Sequence, residues 1–412
     1  MTAATLDMPP ADSAAPMRRY LGVLLAALTL ALVLVLALNL VLGDRGLGNL
    51  QATRAASIWQ QATRGVTYAP PVGNTRPFKA LRLADRLLEI NALVLGSSTL
   101  MGVTQQMFPA DLRIYNLTVT GNSTAAIVGE AQYIEQHLSN HVRWVLAGLD
   151  WSVGMIYLGG GATAVDLSPE SVARAYADHA VPLHKRIEDA LSWPRVANLG
   201  TMMAAAFKSA EPLNHLRGIF FDIGGVAYRC SDGSLARDFD VINRGLCRGY
   251  RYDGSWTFAN DRRLSPALAK TLAMVAAAPS SKYTKHLCSN GGAPNPELLK
   301  PLGETARRFA AKGGRMVFLL PPLAPGLEQT LHESPRWKSC LERTKAELDA
   351  WATQYQVTVI DAGASERYGC LPMEFSDEHH AYPECNARVL RRFFADDAAG
   401  RVQAGIYRAE GA

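Results

Sequence analysis

The sequence predicts an α/β domain: a five-stranded parallel sheet with helices on both faces. One large insertion interrupts it, and one membrane-spanning helix precedes it. Three observations carry this reading. Short apolar runs alternate with amphipathic helical stretches in both halves of the chain. The alternation stops between residues 152 and 295. Residues 20–42 form one continuous apolar segment.

The elements follow in order. Residues 90–95 (INALVL) are a first strand, ending at Gly96-Ser97-Ser98. Residues 112–119 (LRIYNLTV) are a second, ending at Thr120-Gly121-Asn122. The helix over 123–138 places Ile127, Ala131, Ile134 and Leu138 on one face. Residues 142–149 (VRWVLAGL) are a third strand, ending at Asp150. The insertion holds a helical stretch with a Gly159-Gly160-Gly161 break, then a Gly/Asp/Arg-rich region. Beyond it the alternation resumes. A helix covers 297–311, a fourth strand 315–320 and a fifth 357–361. Between them Trp337, Leu341, Thr344, Leu348, Trp351 and Tyr355 mark an amphipathic helix. A last helix starts near Pro383, a favoured first-turn residue, and turns Val389, Leu390, Phe393 and Phe394 inward. Apolar strands alternating with helices imply a parallel sheet covered on both faces, a flavodoxin-like three-layer sandwich. Ligands of such sheets bind beyond the C-terminal strand ends, so chemistry is sought just after each strand.

Residues 20–42 are long enough to cross a bilayer as a helix, and Arg18 and Arg19 precede them. The positive-inside rule then leaves the N-terminus cytoplasmic and the main domain periplasmic or extracellular, on a single-pass anchor in the cytoplasmic (inner) membrane. The competing reading is a cleaved signal peptide, but no small-x-small site follows the run. The organisation read from the chain is a cytoplasmic arm (1–19), the anchor (20–42) and a connector (43–87). The α/β domain follows (88–151 and 296–398), split by the insertion (152–295), with a tail (399–412).

The 412 residues are 48% apolar and 19% charged, which excludes a disordered chain. The net charge of +5 is too mild for a nucleic-acid binder. No P-loop or dinucleotide fingerprint is present, and no cofactor is expected. All six cysteines follow the apolar segment, and an even count in an exported domain suggests disulfides. Cys230 with Cys247 is the one pair suggested, because the two bracket a loop-rich stretch. Buried free thiols are the alternative.

Two segments carry chemistry. Ser98 sits where a strand turns into a helix, and free N–H groups at such a turn suit a nucleophile and its oxyanion. The plain alternative is a serine N-cap. The second segment is Ser376-Asp377-Glu378-His379-His380, before the last helix. An Asp three residues before a His can fix its tautomer and let it accept a serine proton. The alternatives are an exposed turn or a metal site of Asp377, His379 and His380. No further ligand cluster supports the metal site, and none is expected.

A sheet that ends its first strand in G-x-S and precedes its last helix with D-x-x-H resembles the SGNH (GDSL-type) hydrolase superfamily. The likeness covers residues 88–151 and 296–398. It implies Ser98 as nucleophile, His380 as general base and Asp377 as its partner. The N–H groups of Ser98 and Gly121 would form an oxyanion hole. The third block departs from the family pattern, with Asp150 where an oxyanion-donating Asn is expected. Asn122 is then the candidate to replace it.

The single anchor, the GSS turn, NLTVTG at 116–121 and Pro321-Pro322 resemble one membrane-anchored branch. That branch comprises the D-alanyl transfer protein of teichoic-acid modification and polysaccharide O-acetylation proteins. The resemblance implies acyl transfer to an exported polysaccharide. A membrane-bound O-acyltransferase or polysaccharide synthase complex would be the partner. A glycan esterase, or a non-catalytic scaffold subunit, are the other readings. Tyr250, Tyr252, Trp256 and Phe258 of the insertion either stack on sugar rings or form its own small core. The Asn116 and Asn122 glycosylation patterns are read as coincidence.

Overall fold

The computed structural model describes residues 14–43, 50–67, 75–150, 226–230, 233–238, 247, 249–257 and 291–409, with a few single positions between 203 and 273. The Gly159-Gly160-Gly161 stretch and Phe258 lie outside the described residues.

The main sheet has six parallel strands, not five. They are β2 (Ala92–Leu95), β3 (Ile114–Asn116), β4 (Trp144–Gly148), β9 (Arg315–Leu320), β10 (Thr358–Asp361) and β11 (Gly405–Tyr407), in the order β11-β10-β9-β4-β2-β3. The sixth strand falls in the segment read as a tail. Its three residues pair with β10 alone, with Val359 opposite Ile406. Behind β11, Arg408 reaches Asp361 at 2.9 Å, and Lys345 reaches the same carboxylate at 2.8 Å. These two cations hold Asp361 below the usual carboxylate range even though its burial pushes the other way.

Alternate residues of the strands feed two cores, as the pleat requires. Leu93, Val145, Phe318 and Val359 face one core, closed by α4 (Thr124–Tyr133), α5 (Pro296–Ala311) and α7 (Pro335–Tyr355). Val94, Leu146, Val317 and Ile360 face the other, against Val389 and Phe393 of α8 (Pro383–Ala398). The helical periodicities therefore correspond to real packing. Ile127, Ala131, Ile134 and Leu138 are all buried, although the last turn, Ile134–Leu138, widens into a π-helix. Among the described residues, α6 (Leu327–Glu333) is a short helix between β9 and α7 that periodicity did not reveal.

The stretch read as a connector is structured. It holds α2 (Leu50–Thr63), β1 (Val66–Thr67) and α3 (Thr75–Arg86). Strand β1 lies in a second sheet with four strands of the insertion: β5 (Val226–Arg229), β6 (Leu235–Asp238), β7 (Gly249–Tyr250) and β8 (Trp256–Thr257). This small sheet is tied to the outer edge of β3. Asn116 N–H donates to Asp253 O at 2.7 Å. The fully buried Lys79 donates to the carbonyls of Asn116 (2.7 Å) and Gly254, 4.2 Å from the Tyr250 ring centre. Burial pushes the Lys79 ammonium down to about 7, against the opposing pull of Asp253.

The N-terminal helix α1 runs over Ala14–Gly43. Within it, Met17–Ala37 has a mean hydropathy of 2.7 and no buried share, so it is long and apolar enough to span a membrane.

Candidate active site

The strand order reverses between β2 and β4: the chain runs from β2 outward to β3, then returns to β4 on the other side. Open α/β sheets place their ligand crevice at such a switch point. Ser97 and Ser98 follow β2, and Asp150 follows β4. The D-x-x-H loop lies between β10 and α8.

The structure brings Ser98, His380 and Asp377 together. Ser98 Oγ lies 2.8 Å from His380 Nε2, and His380 Nδ1 lies 2.6 Å from Asp377 Oδ2. The other carboxylate oxygen of Asp377 accepts the backbone N–H groups of His379 (3.0 Å) and His380 (2.9 Å). Asp377 is partly buried, which opposes its charge. Hydrogen bonding to His380 and the two nearby imidazoles outweigh that and hold its carboxyl below the usual range.

Each arm has its own support. Ser98 opens a single 3₁₀ turn, Ser98–Leu100, capped by Ser97 Oγ, which accepts Thr99 N–H at 3.4 Å. The amide of buried Asn116 donates to the carbonyls of Leu100 (3.0 Å) and Val103 (2.9 Å), fixing the chain that leaves the serine. This internal role fits the reading of its glycosylation pattern as coincidence. The loop carrying Asp377 and His380 is closed by a Phe375–Ala381 bridge. It is closed again by a Cys370–Cys385 disulfide.

The remaining expected residues behave differently. Asp150 turns its carboxylate to the Ser97 hydroxyl. Asn122 is committed elsewhere, its amide donating to Glu130 at 3.1 and 3.3 Å. Gly121 adopts φ +69°, a left-handed conformation that glycine enters without steric cost. Among the described residues, the N–H groups of Ser98 and Gly121 meet no acceptor. Of the insertion's aromatics, Tyr250 belongs to a small core with Ala56, Phe78 and Met101; Trp256 packs edge-to-face on Tyr250 and also lines a cavity, as Tyr252 does.

Sequence reasoning weighed His379 only as an exposed turn residue or a metal ligand, and gave it no part beside the imidazole of His380. Its ring stacks on His380, 4.0 Å between centres, and its Nδ1 lies 3.4 Å from Glu378 and 3.5 Å from Asp377. Burial disfavours its charge, but Glu378, Asp377 and Asp150 together raise its pKa above that of a free imidazole. A raised folded value means stability that is complete below the unfolded imidazole pKa, roughly 6.5, and is lost as pH rises through the folded one. The melting-temperature advantage of the native chain over His379→Gln is therefore expected to shrink as pH rises above that point. Thermal melts across neutral pH check this; a constant difference would refute it.

Asp377, His379 and His380 also bring one ligand atom each to within 4.8 Å of one another. The Asp377–His380 bond and the Ser98 contact already occupy both ring nitrogens of His380.

Cys230 pairs with Cys247, as the loop-rich spacing suggested. Cys340 is also disulfide-bonded. The chain matches no protein-family model, no curated protein and no solved structure.

Proposed function

We propose that the protein is a membrane-anchored, extracytoplasmic serine acyltransferase of SGNH type that modifies an exported polysaccharide. The observation that carries this reading is the unbroken Ser98–His380–Asp377 relay. The sheet order supports it, because this is the flavodoxin-like order extended by one strand and the relay stands at its switch point. The apolar helix α1 supports a tether, with the N-terminus cytoplasmic. The disulfides Cys230–Cys247 and Cys370–Cys385 fit an oxidising compartment on the far side.

The chemistry follows from the atoms. Ser98 Oγ attacks the acyl carbonyl while His380 Nε2 takes its proton. The N–H groups of Ser98 and Gly121 are the donors for the oxyanion. The tetrahedral intermediate collapses, the donor's leaving group departs with the proton from His380, and an ester remains on Ser98. A sugar hydroxyl then attacks, gives its proton to His380, and leaves as the acylated glycan when Ser98 is reprotonated. A membrane-bound O-acyltransferase is the partner we propose as acyl source, because a shared membrane raises the effective concentration of two tethered proteins.

An aspartate in place of the family's oxyanion-donating Asn would suit a scaffold with a decayed site, and that residue is Asp150. Its bond to Ser97 gives the carboxylate a supporting role instead, under the turn that presents Ser98. The test uses the full-length protein in detergent with an activated acyl ester. Intact mass spectrometry is expected to show one acyl increment, on the Ser98 peptide, absent from Ser98→Ala. Added oligosaccharide is expected to remove the increment and to gain an ester. Release of free acid alone, indifferent to acceptor, would convert the reading to an esterase. No adduct under any condition would leave the scaffold.

A further inference from the structure

A cavity of about 1000 Å³ adjoins the relay, and neither arm of the triad lies in it. Two connections bring it alongside. Trp256, on its wall, donates its N–H to the carbonyl of Met101, three residues beyond Ser98. Tyr382, also in its lining, is two residues beyond His380.

Its lining is unequal in charge. Arg64, Arg86, Arg251, Arg388 and Arg391 face two carboxylates, Asp253 and Glu384. Asp253 is already engaged by its own surroundings. It accepts Gln105 N–H at 2.8 Å, and Ser255 N–H and Oγ at 3.0 and 2.6 Å. Arg388 is held by Glu374 at 2.8 Å, and Arg86 donates to Tyr252 O at 2.8 Å. The Tyr252 ring carries the guanidinium groups of Arg86 and Arg64 at 4.3 and 5.2 Å from its centre. Arg86 is also paired with Glu89 at 3.6 Å, so Arg64 is the stacked guanidinium that turns its N–H edge outward, for carboxylate or phosphate oxygens.

We infer that this cleft holds the acceptor, and that the acceptor is an anionic saccharide chain, bearing carboxylates or phosphodiesters along its length. The inference rests on the transfer reading above, and it adds the chemical class of the substrate. The volume suits a saccharide segment rather than a small acyl group. The arginines supply forks for its charges, Tyr252 serves as the platform on which two of them stack, and Trp256 and Tyr382 supply aromatic surface for its sugars. A neutral glycan offers hydroxyl acceptors to the guanidinium groups but no negative charge to offset their loss of water.

The test is calorimetric titration of the full-length protein in detergent with three oligomers of matched length: a polyuronate, a glycerol-phosphate chain and a neutral glucan. At least one charged oligomer is expected to bind about tenfold more tightly than the glucan, with the preference lost at high salt. Whichever charged oligomer binds better identifies the anionic group. Arg64→Gln/Arg391→Gln is expected to weaken that binding by about tenfold, with the melt reporting that the variant folds. Equal binding of charged and neutral oligomers overturns the inference. So does charged-oligomer binding that the folded double variant retains in full. Ser98→Ala is expected to bind like the native chain, so the cleft and the acyl chemistry succeed or fail separately.

Discussion

Asp377→Asn is expected to slow acylation by an activated ester by about 10⁴-fold, roughly 5 kcal/mol of barrier. The size of the loss follows from where the carboxylate's two oxygens go. One accepts the backbone N–H groups of His379 and His380, and the other accepts Nδ1–H of His380. An asparagine has a single acceptor oxygen. Two backbone donors hold it on the loop side, and its NH₂ group is then turned toward His380 Nδ1. A donor facing Nδ1 demands the opposite tautomer, with the ring proton on Nε2. That nitrogen faces Ser98 at 2.8 Å. A protonated Nε2 cannot receive the serine proton, so the nucleophile stays a neutral hydroxyl. The geometry survives and the chemistry stops. Stopped-flow release of the ester's leaving group measures this, with the variant's melt reporting the fold. A loss under tenfold would show that Asp377 does not set the tautomer, and the relay would lose its third member.

The same residues show what a chain reveals before it folds. Buried parallel strands read as short apolar runs, because both faces are covered. Hence ALVL, WVLAG, RMVFLL and TVID stand out of the sequence. Strand β11 does not. Its three residues lie in a polar setting, paired on one side, and only the contact with β10 makes them a strand. The small sheet is harder still, because β1, β7 and β8 have two residues each, too few for any period. Ser98, Asp377 and His380 were legible because each lies in a compact local motif. The partners of Ser97 and Asn116 were not, because these bonds cross between strands and turns. Asn122 misled for the same reason. An amide at a strand end reads as a free donor until Glu130, from the helix behind it, takes its hydrogens.

Removing the Cys370–Cys385 disulfide is expected to cost about 3 kcal/mol of stability, the chain-entropy value for a loop of this length. The bond joins residues 15 apart whose Cα atoms lie 5.0 Å from one another. Between them lie both Asp377 and His380. Other ties hold the same loop: Glu374 accepts Leu371 N–H at 3.0 Å and pairs with Arg388 at 2.8 Å. Those ties are local polar contacts, each contributing on the order of 1 kcal/mol. With Cys370→Ala/Cys385→Ala the loop keeps its shape in fewer molecules, and the imidazole meets Ser98 less often. Both the urea midpoint and the acylation rate are therefore expected to fall. The Cys230–Cys247 bond provides the control. It spans 17 residues, so its loss costs a similar amount, but it closes a loop of the small sheet. Cys230→Ala/Cys247→Ala should lower the midpoint while leaving acylation of a small activated ester unchanged in molecules that remain folded. Equal effects of the two pairs on that rate would mean that the first disulfide stabilises the domain as a whole, without holding the relay.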